Sequence, residues 1–185
     1  MSRSVRVPRF LHELHGDQTT RFDLVLTYLV AIGTAFLIVL RPGTRPVATL
    51  WWEIAIVAII GGDLAGGAVA NFTTGTDRYY SARPKLRLVF LALHVLHPLI
   101  LYFIIGGPPE VWIAIPLFAL VSAFVVNGLP RELQPTVAAV LTVAGIMICF
   151  SWFVIAPPAL WFGPLFLVKL VLGFSVRRAI PETGS

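Results

Sequence analysis

Six apolar runs dominate this chain, at residues 24–40, 50–72, 86–105, 111–129, 136–156 and 160–174. A helix needs about 20 mostly apolar residues to cross the hydrocarbon of a bilayer. In lipid the backbone must satisfy its own hydrogen bonds, which a helix does within one segment. The runs therefore predict an all-α fold, a polytopic integral membrane protein built as a six-transmembrane-helix bundle. Connections are short, so consecutive helices are expected to be antiparallel neighbours.

Composition agrees. Of the 185 residues, 57% are hydrophobic and 12% charged, against about 45–50% and about 25% in soluble domains. Mean hydropathy is +0.86. These values exclude a soluble enzyme, a disordered chain and a disulfide-stapled module. The single cysteine, Cys149, has no partner in the chain. The net charge of +5 is read as basic flanks of membrane spans rather than a nucleic-acid surface, because no groove-reading motif accompanies it.

Three regions follow: 1–22, a cytoplasmic N-terminal segment with a short interfacial helix; 23–178, the transmembrane domain; and 179–185, a polar tail. The first 22 residues lack the apolar core of a signal peptide. Basic residues set the orientation. With both termini cytoplasmic, Arg3, Arg6, Arg9, Arg21, Arg78, Arg83, Lys85, Arg87, Arg131, Arg177 and Arg178 lie inside, and Arg41 and Arg45 outside. Lys169, within a span, is left out of that tally. Trp51, Trp52, Trp112 and Trp161 begin spans on the outer side, as an aromatic belt. The expected location is a bacterial or archaeal plasma membrane. "PPEVWIAIPLF" at 108–118 echoes "PPALWFGPLF" at 157–166, which admits helical-hairpin repeats and equally a shared way of starting a helix at an interface.

Ionisable groups inside hydrocarbon are costly and mark function. Asp63, His94 and Lys169 each lie eight residues from the cytoplasmic end of a different span, roughly 12 Å deep at 1.5 Å per residue. His97 lies one turn deeper, on nearly the same face as His94. Spans two, three and six are therefore expected to be mutual neighbours, with Asp63 paired to Lys169 or His94. Asp63, Gly67 and Asn71 form one helical stripe, and Gly62, Gly66 and Ala70 an adjacent small-residue stripe. That second stripe suits either close helix packing or room for a ligand.

Asp63, His94 and His97 form a candidate metal set, since an i, i+3 histidine pair presents both rings on one face. Lys169 at the same level counts against it. A second pair, His12 and His15, is read as part of the interfacial helix with Phe10, Leu11 and Leu14 facing lipid. The loop "NFTTGTDRYYSARPKLR" carries tyrosines and basic residues suited to anchoring or to a lipid headgroup. A ligand- or proton-binding pocket lined by Asp63, Gly67, Asn71, His94, His97, Lys169 and Tyr80 is expected to open towards the cytoplasm.

No phosphate loop, dinucleotide fingerprint, nucleophile elbow or paired CxxC is present in the sequence. The residues favour a transporter or channel-like protein for a small solute or protons. The alternatives are a membrane-embedded enzyme acting on lipid, with or without metal, and a structural or partner-binding membrane protein. The lipid bilayer is the one certain partner. A small-molecule or ion ligand and a homo-oligomer stay open, the cofactor is unknown, and nucleic acid is not expected.

Overall fold

The computed structural model describes residues 4–41 and 50–178. Arg3, Arg45 and the polar tail at 179–185 lie outside the described residues. Six helical segments are long and apolar enough to span a bilayer: Arg21–Leu40, Trp51–Ala70, Pro84–Ile105, Pro109–Gly128, Gln134–Trp152 and Pro157–Phe174. Each matches one apolar run, with ends displaced by a few residues.

The N-terminal segment holds a short helix within a two-stranded hairpin. Strand β1 (Ser4–Arg6) pairs antiparallel with β2 (Gln18–Thr20), and the short helix α1 (His12–His15) lies between them. Strands of three residues leave no readable alternation, which is why the sequence pattern does not announce them. The first span, α2 (Arg21–Leu40), follows directly, and the Thr20 hydroxyl accepts from the Asp23 amide as its N-cap.

The second span, α3 (Trp51–Ala70), packs along α2. Its small residues explain the close approach. A Cβ on Gly62 would lie 2.9 Å from the Ala31 carbonyl oxygen, and one on Gly66 2.7 Å from the Ala31 Cβ. The Gly62 and Gly66 stripe therefore lets α2 and α3 pack closely, and both glycines also border a groove along that seam.

Helix α4 (Thr74–Ser81) crosses beneath and carries the N-terminal hairpin. The Thr76 hydroxyl donates to the Leu14 carbonyl at 2.7 Å, and the Tyr80 hydroxyl to the Glu13 carbonyl at 3.0 Å.

The third span is broken into α5 (Pro84–Leu93) and α6 (Leu96–Ile105). Pro98 has no N–H for the His94 carbonyl four residues back, and its ring crowds that oxygen. The chain responds with a tighter turn, in which the His94 amide reaches Leu91 and the Val95 amide reaches Ala92. Helices α7 (Pro109–Gly128) and α8 (Gln134–Trp152) form spans four and five.

The sixth span occupies the centre of the bundle, in contact with α3, α7 and α8. It starts as α9 (Phe162–Leu167) and continues as a π-helical stretch, Val168–Phe174, with Phe162, Phe166, Leu167, Leu170 and Val171 buried.

Candidate functional site

Two irregular features and a glycine-rich helix converge within the spanning bundle. The glycine-rich part of α3 carries Asp63, the break between α5 and α6 carries His94 and His97, and the π-helical stretch carries Lys169. Irregular backbone at membrane depth persists where it is buried in protein or lines a cavity, and π turns concentrate at functional sites. Asp63 is seven residues before the end of α3, about 10 Å along the axis.

Asp63 is the hub. Its Oδ2 accepts from Lys169 Nζ at 2.6 Å and from His97 Nε2 at 3.0 Å. Lys169 Nζ also donates to the Asp63 backbone carbonyl at 3.3 Å. The lysine side chain is only 2% exposed and the carboxylate 41%. That open side of Asp63 lines a groove of about 300 Å³ along the α2–α3 seam, together with Thr27, Tyr28 and Gly62. The groove extends to Leu14 in the N-terminal hairpin.

Gly67 and Asn71 serve the lysine. A Cβ on Gly67 would stand 2.6 Å from Lys169 Cε, so only glycine leaves space for that buried stem. The Asn71 amide donates to the Lys169 backbone carbonyl at 3.1 Å and anchors the π-helical stretch to the end of α3. The sequence expectation of spans two, three and six as neighbours, with Asp63 paired to Lys169, agrees with this geometry.

Two expectations are corrected. The histidine on Asp63 is His97, not His94. Both rings do share a face, stacked at 4.9 Å between centroids and 22° between planes. The turn at the break swings His94 back, so that its Nδ1 meets the Phe90 carbonyl at 2.7 Å. Tyr80 does not line the cluster. It is buried against Phe90 and Phe174, and its hydroxyl is committed to Glu13. Burial pushes its phenol pKa well up. His12 and His15 do not act as a pair. His12 Nε2 meets the Val7 carbonyl at 2.8 Å, and His15 Nε2 meets the Tyr28 hydroxyl at 3.1 Å.

The tautomers follow from the partners. A carbonyl and a carboxylate only accept, so His94 carries its proton on Nδ1 and His97 on Nε2. In its neutral form each ring has one lone pair, on His94 Nε2 and on His97 Nδ1. Both atoms are buried and without a hydrogen-bond partner among the described residues. One ligand atom from each of Asp63, His94 and His97 lies within 4.8 Å of the others.

A second polar cluster, missed at the sequence level, lies at the α4 end of the bundle. Arg87 Nε donates to Asn127 Oδ1 at 2.7 Å, and its Nη2 donates to the Phe174 carbonyl. Arg178 Nη1 donates to the Asn71 and Gly173 carbonyls at 2.9 and 3.0 Å. The Arg177 amide donates to Gln134 at 2.7 Å, and Asp77 accepts from the Arg178 amide at 3.2 Å. Burial pushes the Asp77 carboxyl up, opposed by the charges of Arg87 and Arg178. Arg87 and Arg178 close the carbonyl end of the sixth span, and the Arg177 guanidinium that of the fourth, where a helix terminus attracts cations. The one available signal was Arg87 itself, one residue inside an apolar run. No protein-family model, curated protein or solved structure matches the chain.

Proposed function

We propose that this chain is a small membrane transporter or channel-like protein, and that its solute binds at Asp63, His97, Lys169 and His94. The observation that carries the reading is the pair of unmatched imidazole nitrogens beside a buried ion pair. A cluster kept only for packing would satisfy its polar atoms, because each buried group without a partner costs about 1–3 kcal/mol. Here His94 Nε2 and His97 Nδ1 stay open, and the Asp63 carboxylate faces a groove. The charge asymmetry of the sequence supports both termini, and so the hairpin end of that groove, being cytoplasmic.

The lateral course of the groove supports a second reading, an enzyme acting on lipid. Ile32 and Ile59, both exposed on the bundle surface, form part of its wall, so a substrate could enter from the bilayer.

Proteoliposomes separate these readings. Fluxes of protons, alkali cations and divalent cations are followed with trapped fluorescent reporters, and lipid composition is assayed in parallel. The transport reading expects wild-type protein to move at least one of these species, and Asp63→Asn to lose that movement while still folded by circular dichroism. Flux unchanged in the folded mutant rejects it. Lipid turnover dependent on Asp63, without flux, selects the enzyme.

A further inference from the structure

We infer that the Asp63 cluster takes a single divalent transition-metal ion, with Asp63, His94 and His97 as ligands and the Lys169 ammonium as the cation that the metal displaces from the carboxylate. The inference rests on the reading of the cluster as a ligand site and names the class of ligand.

The donor set is the first support. Two imidazoles and one carboxylate suit zinc and its first-row neighbours, and three protein ligands leave a coordination position open for water or an outgoing anion. The three ligand atoms already lie within 4.8 Å of one another. Ligands on a tetrahedral ion at about 2.0–2.1 Å stand roughly 3.3 Å apart. The widest pair therefore closes by at most about 1.5 Å.

The tautomers are the second support. A metal ligand histidine donates its other N–H to a carbonyl or carboxylate, which fixes the ring and presents the lone pair. His94 has this arrangement, with Nδ1 on the Phe90 carbonyl and a buried, unmatched Nε2. His97 meets Asp63 through Nε2 at 3.0 Å, so it ligates beside Asp63 through that nitrogen, with its ring proton moved to Nδ1.

Lys169 is the apparent objection, because its charge sits on the same carboxylate oxygen. The structure also gives the ammonium somewhere to go. It already shares the Asp63 backbone carbonyl at 3.3 Å. The Phe90 ring centroid is 5.9 Å away, within cation–π range. One carboxylate thus serves either a resident ammonium or an incoming metal ion, and metal affinity is held down by the competitor.

The test uses the full chain, purified in detergent without a polyhistidine tag, and cobalt(II) or zinc(II) alone as the probe. The inference expects one Co²⁺ per chain with the visible bands of a low-coordinate nitrogen and oxygen site. X-ray absorption of the zinc form should show two imidazole ligands. His94→Gln and His97→Gln should each weaken binding more than about tenfold, the least that loss of a mere supporting group does. Lys169→Gln should tighten binding by a similar factor, since it removes the competitor and keeps a polar side chain. This gain cannot arise from misfolding. His12 and His15 are intact in every variant, so adventitious binding there would survive the His94 and His97 changes.

No stoichiometric metal on wild-type protein overturns the inference. So does binding that persists in a His94→Gln/His97→Gln double variant, or a Lys169→Gln variant that binds no tighter. Asp63-dependent flux of another solute without metal binding would sink the metal and keep the transport reading. Metal binding without any flux would do the reverse.

Discussion

The two polar clusters use the same chemistry for opposite ends. In the lower one, Arg87, Arg177 and Arg178 donate chiefly to backbone carbonyls at the ends of the second, fourth and sixth spans, and side chains such as Asn127 and Gln134 complete the network. In the Asp63 one, a carboxylate accepts from an ammonium and an imidazole N–H, and two ring nitrogens are left over. The first ties elements together with its polar atoms almost fully used. The second leaves polar capacity open in a place where openness is expensive. Polar residues in a membrane protein are thus read better by how completely they are paired than by how deep they lie.

Stability measurements test that difference first. Arg87 is 3% exposed and holds two partners across the bundle. Arg87→Met strands the Asn127 oxygen and the Phe174 carbonyl and leaves Asp77 with one fewer compensating charge. The expected cost is about 3–5 kcal/mol, the range for breaking a buried charged contact by removing one partner. Equilibrium unfolding in mixed micelles checks it.

Asp63→Asn is expected to cost less, about 1–3 kcal/mol. The new amide oxygen still accepts from Lys169, which offsets part of the cost of leaving that 2% exposed ammonium without its counter-charge. Adding Lys169→Met to Asp63→Asn should recover most of the loss, because the stranded ammonium goes with it. A larger loss at Asp63 than at Arg87 would break the comparison and turn the upper cluster into packing.

The sequence showed these two regions unevenly. Spans are set by hydropathy over some twenty residues, a signal that single substitutions hardly disturb, and all six runs matched helices. The pairing of Asp63 with Lys169 was legible because equal depth on neighbouring spans leaves few other partners for a buried charge. The choice of His97 over His94 was not legible from helical spacing alone, since an ideal helix treats the two alike. Pro98, four residues after His94, carried that information as the missing donor that breaks the span. Proline by itself does not decide it, because Pro116 sits inside an unbroken α7. The π winding around Lys169 depends on tertiary partners such as Asn71 and Arg178, which have no sequence period. The hairpin at 4–20 is too short to show one.

The smallest effect is expected at a third place, the N-terminal end. His15 in α1 is buried, with Nε2 on the Tyr28 hydroxyl and Nδ1 without a partner. Burial lowers its pKa, and the nearby Asp23 only partly opposes this. In the folded chain the ring is therefore neutral at a pH where the unfolded chain binds a proton. The unfolded state then holds more protons below the ordinary histidine pKa of about 6.5, so stability rises with pH through that region. The contribution is complete above about pH 6.5 and is lost as pH falls towards the depressed folded value, by at most about 1.4 kcal/mol per pH unit. His15→Gln keeps a hydrogen-bonding group for Tyr28 and removes the titration. The difference in unfolding free energy between wild type and this variant should therefore shrink or reverse from pH 7 to pH 5. A difference that does not change with pH would mean that the docked hairpin gives a protonated His15 an acceptor, and the N-terminal end would then resemble the open upper cluster rather than the closed lower one.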